Sequence, residues 1–546
     1  MTGRDDGRYD GPGGRDDGRY DDPGGRDDGR GSGPDVGGDD GRWDGGGDDW
    51  GRVAHTSVDE LRGPLAFVTG VEGVGWDESV RIALPGGERR HGLVLEVDRG
   101  LAVVQVMEGT AGIDPRRVRV SFDGSPLRVP VGPGWLGRVC NGRGEPADGG
   151  PPVLGDTTAP VAGAPLNPVR REPPADPVLT GVSAVDGLTT LVRGQKLPVL
   201  SAAGLPHLEL AAAVAARATA GGDPFCVVLA GMGLTHPDAA HLRDALEERS
   251  AAGELVLLLN TADEPVIERI LTPRIALTVA EHLAFEGGRH VLVVMTDMTS
   301  YAEALREVSA ARGEIPARRA YPGYLYSDLA SLYERCGRIR GRPGSVTVLP
   351  VLTMPAGDIT HPVPDLTGYI TEGQIVLSRE VHAQGVRPPV DALASLSRLM
   401  RRGAGPGRTR DDHLPVAAQL LAALARTRQV RELADLVGED ALGPADLRQL
   451  AFGEAFLHRF VDQGPDEVRT LDQTLDRAWE VLHALPRSRL GMLPAALLDV
   501  HGFPADPGSA VPGAAAPDPA ARAGGAGPSG VHPGRPGPPA PAGGPG

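Results

Sequence analysis

Lysine is almost absent from this chain of 546 residues, which contains a single one, Lys196. A phosphate-binding loop that hydrolyses nucleoside triphosphates ends in Gly-Lys-Ser/Thr, where the lysine reaches the phosphates and the hydroxyl holds Mg²⁺. Residues 197–214 have the layout of such a loop, because a short apolar strand runs through small residues into a helical pattern. Pro206 and His207 stand in place of the lysine and the hydroxyl, and Lys196 precedes the strand. The sequence therefore predicts a nucleotide-binding architecture that lacks the usual means of hydrolysing ATP.

Cysteine is scarce, and long apolar runs and net positive charge are missing. The three cysteines (Cys140, Cys226 and Cys336) have neither metal-site nor redox spacing, so we interpret them as buried residues in a reducing compartment. No apolar run approaches the length that spans a membrane, so we expect any membrane association to go through partners. The formal net charge of −17 argues against nucleic acid as a main partner.

Both ends of the chain have a biased composition. Residues 1–58 are rich in Gly, Asp and Arg and contain a short repeat, and residues 504–546 are rich in Pro, Gly and Ala. Segments of this composition do not bury enough apolar area to offset their chain entropy, so both are predicted to be disordered tails. We interpret the repeat as a low-complexity expansion, with an interaction tag as the alternative.

The residues between the tails divide into three predicted domains. Residues 59–130 contain short alternating runs separated by Gly and Pro, a pattern that favours a small β-barrel. Residues 131–400 contain near-continuous apolar strands that alternate with helices, which predicts an α/β domain with a parallel sheet covered on both faces. Residues 401–503 have only helical periodicity and are predicted to form a helical domain. The five strands predicted for the α/β domain are 197–201, 225–230, 254–260, 290–296 and 345–353.

Asp297 ends the fourth of these strands, where a carboxylate that holds Mg²⁺ through water would lie. The alternative is structural, because Thr299 and Ser300 open the next helical pattern and residues 300–303 fit a capping box. We favour the structural role, since the lysine and the loop hydroxyl are both missing.

Arg398 is the remaining candidate for chemistry. An arginine presented to a neighbouring subunit's nucleotide can neutralise charge on the transferred phosphoryl group, an arginine finger worth roughly 10³–10⁵ in rate. The local pattern is also typical of a solvated basic face, because other arginines follow closely, namely Arg401, Arg402, Arg408 and Arg410.

Several segments within residues 62–495 match one family in order. They are 72–74, 103–110, 181–187, 191–198, 204–207, 296–299, 321–324, 358–375 and 395–400. With these segments the chain resembles the non-catalytic B subunit (beta chain) of V-type and A-type ATPases and ATP synthases. The resemblance implies a RecA-like α/β ATPase core between an N-terminal β-barrel and a C-terminal helical domain.

The resemblance also implies partners and a location. Three copies would alternate with three catalytic A subunits in a hexameric ring, together with central-stalk and peripheral-stalk subunits. The ring would lie at the cytoplasmic face of the cell membrane and meet the proton- or sodium-translocating sector only indirectly.

The same resemblance assigns the site residues. It implies that Arg398 reaches across to ATP or ADP with Mg²⁺ at the interface with the catalytic subunit, and we expect no cofactor on this chain's own loop. A catalytic subunit carries Gly-Glu-Arg in the turn after the second strand, where this chain has Leu234 in the segment 231–235. Lysine, loop hydroxyl and general base are therefore missing together, which predicts a non-catalytic subunit.

Two segments depart from the family pattern. Residues 201–204 read Ser-Ala-Ala-Gly where relatives often have Ser-Gly-Ser-Gly, which makes nucleotide binding by this loop doubtful because Ala restricts the backbone. Residues 354–358 read Met-Pro-Ala-Gly-Asp where relatives often have Met-Pro-Asn-Asp-Asp. The second change has no functional interpretation.

Two other functions remain alternatives. A ring-forming RNA-dependent helicase would need an intact lysine loop and a basic face, and this chain has neither. A stand-alone scaffold that kept the fold after losing its complex differs only in whether a catalytic partner exists.

Overall fold

The computed structural model describes residues 54–55 and 58–503. Its N-terminal part is an antiparallel sheet of seven strands in the order β1-β7-β4-β5-β6-β3-β2. Alternate side chains point inward, as the period-2 runs predicted, and form one core whose central valines (Val68, Val80, Val94, Val104 and Val120) are fully buried. The strands are β1 (Ala54–His55), β2 (Val58–Arg62), β3 (Leu65–Thr69), β4 (Glu78–Ala83), β5 (Arg89–Asp98), β6 (Leu101–Val106) and β7 (Arg119–Pro126).

Strand β1 falls inside the range 1–58 that was predicted to be a tail. Ala54 and His55 pair with Ser121 and Val120 of β7, so the sheet begins earlier than the composition indicated. Residues 1–53, 56–57 and 504–546 lie outside the described residues, and the prediction of disorder for them stays a prediction.

The remaining strands belong mostly to the α/β part. They are β8 (Arg128–Val131), β9 (Val139–Asn141), β10 (Thr157–Pro160), β11 (Arg171–Glu172), β12 (Pro177–Val178), β13 (Leu191–Val192), β14 (Val199–Ala202), β15 (Phe225–Leu234), β16 (Leu255–Thr261), β17 (His290–Thr296), β18 (Gly337–Ile339), β19 (Ser345–Met354), β20 (Gly373–Val376) and β21 (Leu396–Ser397).

Fourteen α-helices accompany them within residues 58–503. They are α1 (Ser183–Leu188), α2 (His207–Arg217), α3 (His236–Ala245), α4 (Glu247–Ala251), α5 (Val266–Phe285), α6 (Met298–Ala311), α7 (Leu325–Tyr333), α8 (Pro362–Ile370), α9 (Arg379–Ala383), α10 (Met400–Gly403), α11 (His413–Val437), α12 (Pro444–Ala455), α13 (Leu471–Leu482) and α14 (Ala495–Val500).

The central sheet has the order β21-β20-β14-β19-β17-β15-β16-β9. All neighbours along this path are parallel except β21, which runs antiparallel to β20 at one edge. Val227 and Leu229 of β15 face one core cluster, whereas Cys226 and Val228 face the other. Because both faces of each central strand are buried, the strands have apolar residues in succession rather than in alternation. The predicted parallel sheet, covered on both faces, is confirmed.

Two local predictions around this sheet are wrong. Strand β15 was expected to end at residue 230, but it continues to Leu234 because its backbone keeps pairing with β16 past an irregularity at residues 231–234. The capping box predicted for residues 300–303 does not form at the start of α6. Asp297 caps this helix instead, since its carboxylate accepts the amide hydrogen of Thr299, and the helix therefore begins at Met298.

The C-terminal helices pack against the core through a set of stacked aromatic rings. Phe456 and Phe460 are buried with ring centroids 5.2 Å apart, in a π-helical turn that follows α12. His413 at the start of α11 contacts the carbonyl oxygen of Gly187 at 3.1 Å and so joins the helices to α1. The predicted helical domain is confirmed, and the three cysteines are buried as expected. No helix among the described residues is both long and apolar enough to cross a membrane.

Candidate functional site

A cavity of about 1370 Å³ opens where the central parallel strands end. The carboxyl ends of parallel strands meet at one edge of a sheet, which is where α/β proteins place their ligands. Met232, Asp297 and Thr353 contribute the ends of β15, β17 and β19, and the loop between β14 and α2 forms one wall. Residues 463–466 of the helical domain also line the cavity.

The loop in this wall spans residues 203–206. Gly204 has a φ of 86°, a left-handed conformation that favours glycine. Ala202 and Ala203 both have negative φ values, so the alanines that depart from the family pattern adopt this backbone without strain. Ser201 is fully buried and its hydroxyl donates to the carbonyl oxygen of Ala202 at 3.1 Å. The loop therefore presents no serine hydroxyl to the cavity.

The side chains at the end of the loop do not fit the phosphates and metal of a hydrolysable nucleotide. Pro206 precedes helix α2, and the Nδ1 atom of His207 lies 3.0 Å from the carbonyl oxygen of Leu205. Arg379 donates to the carbonyl oxygen of Ala203 at 2.7 Å, from outside the loop. Residues 203–207, all within the described part of the chain, supply no ammonium group and no hydroxyl where a phosphate-binding loop uses them.

The carboxylate of Asp297 is hydrogen-bonded to backbone amides. Its Oδ1 atom accepts the amide hydrogen of Thr299 at 2.7 Å and that of Thr353 at 3.2 Å. Burial raises the pKa of Asp297, against the effect of these hydrogen bonds and of nearby His207. The carboxylate caps α6 and ties it to β19, which agrees with the structural role favoured by the sequence.

Leu234 takes no part in polar chemistry. Its side chain is buried in the core cluster that lies beneath α2 and α3, and it lines the same cavity. An aliphatic side chain offers no acceptor for a proton, so no general base stands at this position.

Arg398 lies at the opposite edge of the sheet from the cavity. It follows β21, and its backbone amide donates to the carbonyl oxygen of Glu372, just before the amino end of β20, at 3.0 Å. Glu372 in turn donates its amide to Lys196, before β14 begins, whereas the cavity loop follows the end of β14. From Lys196 to Ala202 the extended chain spans about 20 Å. Arg398 is therefore remote from the cavity of its own chain.

The side chain of Arg398 is exposed and makes one weak hydrogen bond, from Nη1 to the carbonyl oxygen of Thr371 at 3.3 Å. Within residues 58–503, no carboxylate forms an ion pair with it. Its guanidinium is thus available to a group outside the chain.

The arginines that follow Arg398 differ from one another. Arg410 pairs with Asp412 at 2.7 Å and with Asp476 at 2.6 Å, and Arg408 lies 3.5 Å from Asp176. Arg401 and Arg402, on the short helix α10, are exposed. Ion pairs therefore neutralise Arg408 and Arg410, and the arginines from 398 to 410 do not form one uniform basic surface.

The only lysine has partners that the sequence did not reveal. The Nζ atom of Lys196 lies 2.9 Å from Glu334 and 2.9 Å from Glu372. These glutamates are 138 and 176 positions away along the chain, and no periodicity or motif relates them to Lys196. No group of His, Cys, Asp or Glu side chains that could hold a metal ion occurs in the described part of the chain.

Three family models match consecutive parts of the sequence. Residues 60–124 match the β-barrel domain of the ATP synthase alpha/beta family, and residues 181–397 match its nucleotide-binding domain. Residues 402–500 match the C-terminal domain of V and A type ATP synthases. The matched ranges follow the order of the antiparallel sheet, the α/β part and the helical part.

Individual proteins agree with these models. The B subunit of the A-type ATP synthase of Aeropyrum pernix is 54% identical over 438 residues, which cover 80% of this chain and 95% of the relative. Among solved structures, that of a unique ATP synthase subunit NeqB from Nanoarcheaum equitans is 35% identical, with a TM-score of 0.61. That match covers 76% of this chain and all of the other.

Proposed function

This chain belongs to the family of A-type ATP synthase B subunits, and on that premise we propose that it is the non-catalytic, regulatory B subunit of a rotary ATPase or ATP synthase. Three copies alternate with three catalytic A subunits in a hexameric ring that couples ATP synthesis or hydrolysis to proton or sodium transport. The observation that carries the proposal is the separation of two features. The chain's own loop lacks the lysine and the hydroxyl used in hydrolysis. Arg398, which has no ion-pair partner among the described residues, lies at the amino end of the sheet, away from the cavity at the carboxyl ends of the strands.

The absence of catalysis on the chain's own loop rests on three positions. Pro206 and His207 stand where a working loop has its lysine and hydroxyl, and Leu234 stands where a catalytic subunit has its glutamate. Positioning and electrostatic stabilisation provide almost all of phosphoryl-transfer catalysis, so the loss of these groups together removes it.

The role proposed for Arg398 is that of an arginine finger supplied to the catalytic subunit. ATP or ADP with Mg²⁺ binds at the interface between the two subunits, and the guanidinium stabilises charge on the transferred phosphoryl group. Two observations support this role: the side chain is exposed without an ion-pair partner among the described residues, and its backbone is fixed to the edge of the sheet. A planar guanidinium can donate two parallel hydrogen bonds to phosphate oxygens, which suits such a site.

The further partners follow from the same proposal. The ring surrounds central-stalk subunits and is held by peripheral-stalk subunits at the cytoplasmic face of the cell membrane. The ring contacts the membrane ion-translocating sector only through these stalk subunits. Nucleic acid is not a partner, because the chain is acidic.

Assembly and turnover of a reconstituted ring test the proposal. The chain is purified with the catalytic subunit encoded in the same genome, and native mass spectrometry measures the composition of the complex. We expect three copies of each subunit and ATP hydrolysis that requires both. A chain that stays monomeric with the catalytic subunit present would instead support the stand-alone scaffold.

A further inference from the structure

The only lysine of the chain lies beside the backbone that carries Arg398. Lys196 is almost completely buried, with 6% of its side chain exposed, and its ammonium group contacts both Glu334 and Glu372 at 2.9 Å. Burial lowers the pKa of Lys196, but the two carboxylates raise it by more than burial lowers it. The net pKa is therefore above the ordinary value, and the ammonium is charged. A buried charge of this kind is costly unless it is paired, and here it is paired twice.

Lys196 and Glu372 are joined through the backbone as well as the side chains. The amide of Lys196 donates to Oε2 of Glu372 at 2.8 Å, and the amide of Glu372 donates to the carbonyl oxygen of Lys196 at 3.0 Å. Together with the ammonium contact to Oε1, these bonds fix the position of Glu372 at its backbone and at both carboxylate oxygens.

Glu372 and its neighbour then hold Arg398 at two points. The carbonyl oxygen of Glu372 accepts the backbone amide of Arg398 at 3.0 Å. The carbonyl oxygen of Thr371 accepts a hydrogen bond from the guanidinium at 3.3 Å. Strand β21, which precedes Arg398, has only two residues, so the edge of the sheet offers few other bonds to fix this segment.

Gln195 adds a second connection between the same segments. Its side chain is fully buried, and its Nε2 atom donates to the carbonyl oxygen of Glu372 at 3.2 Å and to the hydroxyl of Ser397 at 2.9 Å. Gln195 and Lys196 together therefore contact Glu372, just before β20, and Ser397 of β21, and these two segments hold Arg398.

We propose that Lys196 is a positioning residue for the arginine finger, because it fixes Glu372 and thereby the two carbonyl oxygens that hold Arg398. The inference rests on the proposed role of Arg398 in the catalytic subunit's site. Rate enhancement by a preorganised donor depends on its placement before the reaction, so a small displacement of the guanidinium lowers turnover. Lys196 touches no substrate and acts only through this backbone.

A double-mutant cycle in the assembled ring tests the inference. Lys196→Met removes the ammonium and is measured alone and together with Arg398→Ala, at saturating ATP. We expect Lys196→Met to lower kcat by about tenfold, with KM changed much less, when Arg398 is present. In the Arg398→Ala background, the same substitution should leave kcat unchanged, because no guanidinium remains to be positioned.

Three further variants separate positioning from stability. Glu281→Gln breaks another buried ion pair, with fully buried Arg335 at 2.7 Å, and should lower the melting temperature without lowering kcat. Glu372→Gln keeps the size of the side chain and the backbone bonds, and it should reproduce the loss of kcat if Lys196→Met does not fold. The double variant Lys196→Met/Glu372→Gln, which leaves no unpaired charge between these two positions, provides the same test.

The possible results distinguish the two proposals. An equal loss of kcat with and without Arg398, or no loss in either background, would overturn the positioning role and leave the arginine finger intact. Full turnover by Arg398→Ala alone would overturn the arginine finger and the positioning role with it.

Discussion

The carboxylate of Asp297 accepts the backbone amide of Thr353 at 3.2 Å, across the ends of two neighbouring parallel strands. The same oxygen accepts the amide of Thr299 at the start of α6. A carboxylate at this position would hold a metal ion in a hydrolytic site, but here it joins a helix to the sheet. The position of a residue in a strand–loop–helix pattern thus does not decide its role, because the role depends on which groups lie around it.

The purified chain should have negligible ATPase activity. The lysine and the hydroxyl are missing from its loop and a glutamate is missing at Leu234, so we expect turnover below about 1 s⁻¹, the lower end of the usual range for enzymes. A coupled assay of released phosphate measures this rate, with the reconstituted ring as the positive control. Turnover by the isolated chain comparable with that of the ring would contradict the non-catalytic assignment.

Substitution of Arg398 should lower the turnover of the assembled ring without preventing assembly. Arg398→Ala removes the guanidinium and should lower kcat by about 10³-fold, and Arg398→Lys should lower it less because a point charge remains. Steady-state kinetics and native mass spectrometry of the same preparations measure the two effects. The matched controls are Arg401→Ala and Arg402→Ala, which remove exposed arginines of α10 and should cost far less. Normal turnover by Arg398→Ala would favour the solvated basic surface.

Ala356 has a backbone conformation that its side chain does not favour. Its φ is 56° and its ψ is 15°, a left-handed conformation that costs an alanine roughly 1 kcal/mol and suits asparagine or glycine better. Ala356→Asn, which restores the residue common in the relatives, should therefore raise the free energy of unfolding by about 1 kcal/mol. Chemical denaturation of the purified chain measures the change.

Ala202→Gly is the control for this prediction, because it also restores a residue of the family pattern. Ala202 has a negative φ, ends strand β14 and is buried, so glycine there adds chain entropy to the unfolded state and removes a buried methyl group. We expect it to lower the free energy of unfolding by about 0.5–1 kcal/mol. A gain in stability from both substitutions would show that resemblance to the family, and not backbone conformation, determines the effect.

Much of the fold could be predicted from the sequence, because apolar periodicity is set by burial. Strands with both faces covered, such as β17, appear as continuous apolar runs, and the barrel strands appear as alternating ones. The end of β15 was missed because glycines usually indicate a turn, whereas here Gly231 still pairs with β16. The boundaries 59–130, 131–400 and 401–503 stay predictions.

The candidate site could be predicted only in part. Missing groups are visible in a sequence, so the lack of a lysine and a hydroxyl at the loop needed no structure. The environment of Arg398 was not accessible in this way, since Thr371, Glu372 and Lys196 come from distant segments that only the sheet brings together. Local sequence patterns describe neighbours along the chain, and this site is made of neighbours in space.

Glu268 should make stability depend on pH. It is buried near the barrel, its Oε2 atom has no hydrogen-bond partner among the described residues, and burial raises its pKa from 4.5 to about 7, against the effect of Arg143 at 3.4 Å. Three further carboxylates, Glu108, Glu145 and Glu264, also raise the pKa. Because the folded-state pKa exceeds the unfolded value, the protonated form is favoured in the folded protein. Its contribution to stability is complete below pH 4.5 and is lost as the pH rises through about 7.

Glu268→Gln replaces this group by a neutral side chain of the same size, so its effect on stability should change with pH. At pH 8 the carboxylate is charged and buried, and we expect the substitution to raise the free energy of unfolding by on the order of 2 kcal/mol. At pH 4, below the unfolded pKa of 4.5, the folded and most of the unfolded protein hold the proton, so the gain should almost disappear. The control is Glu432→Gln, whose side chain is 66% exposed and does not affect the pKa of Glu268, and which should change stability little at either pH. Denaturation curves at the two pH values measure these differences, and an equal gain at both would contradict the raised pKa.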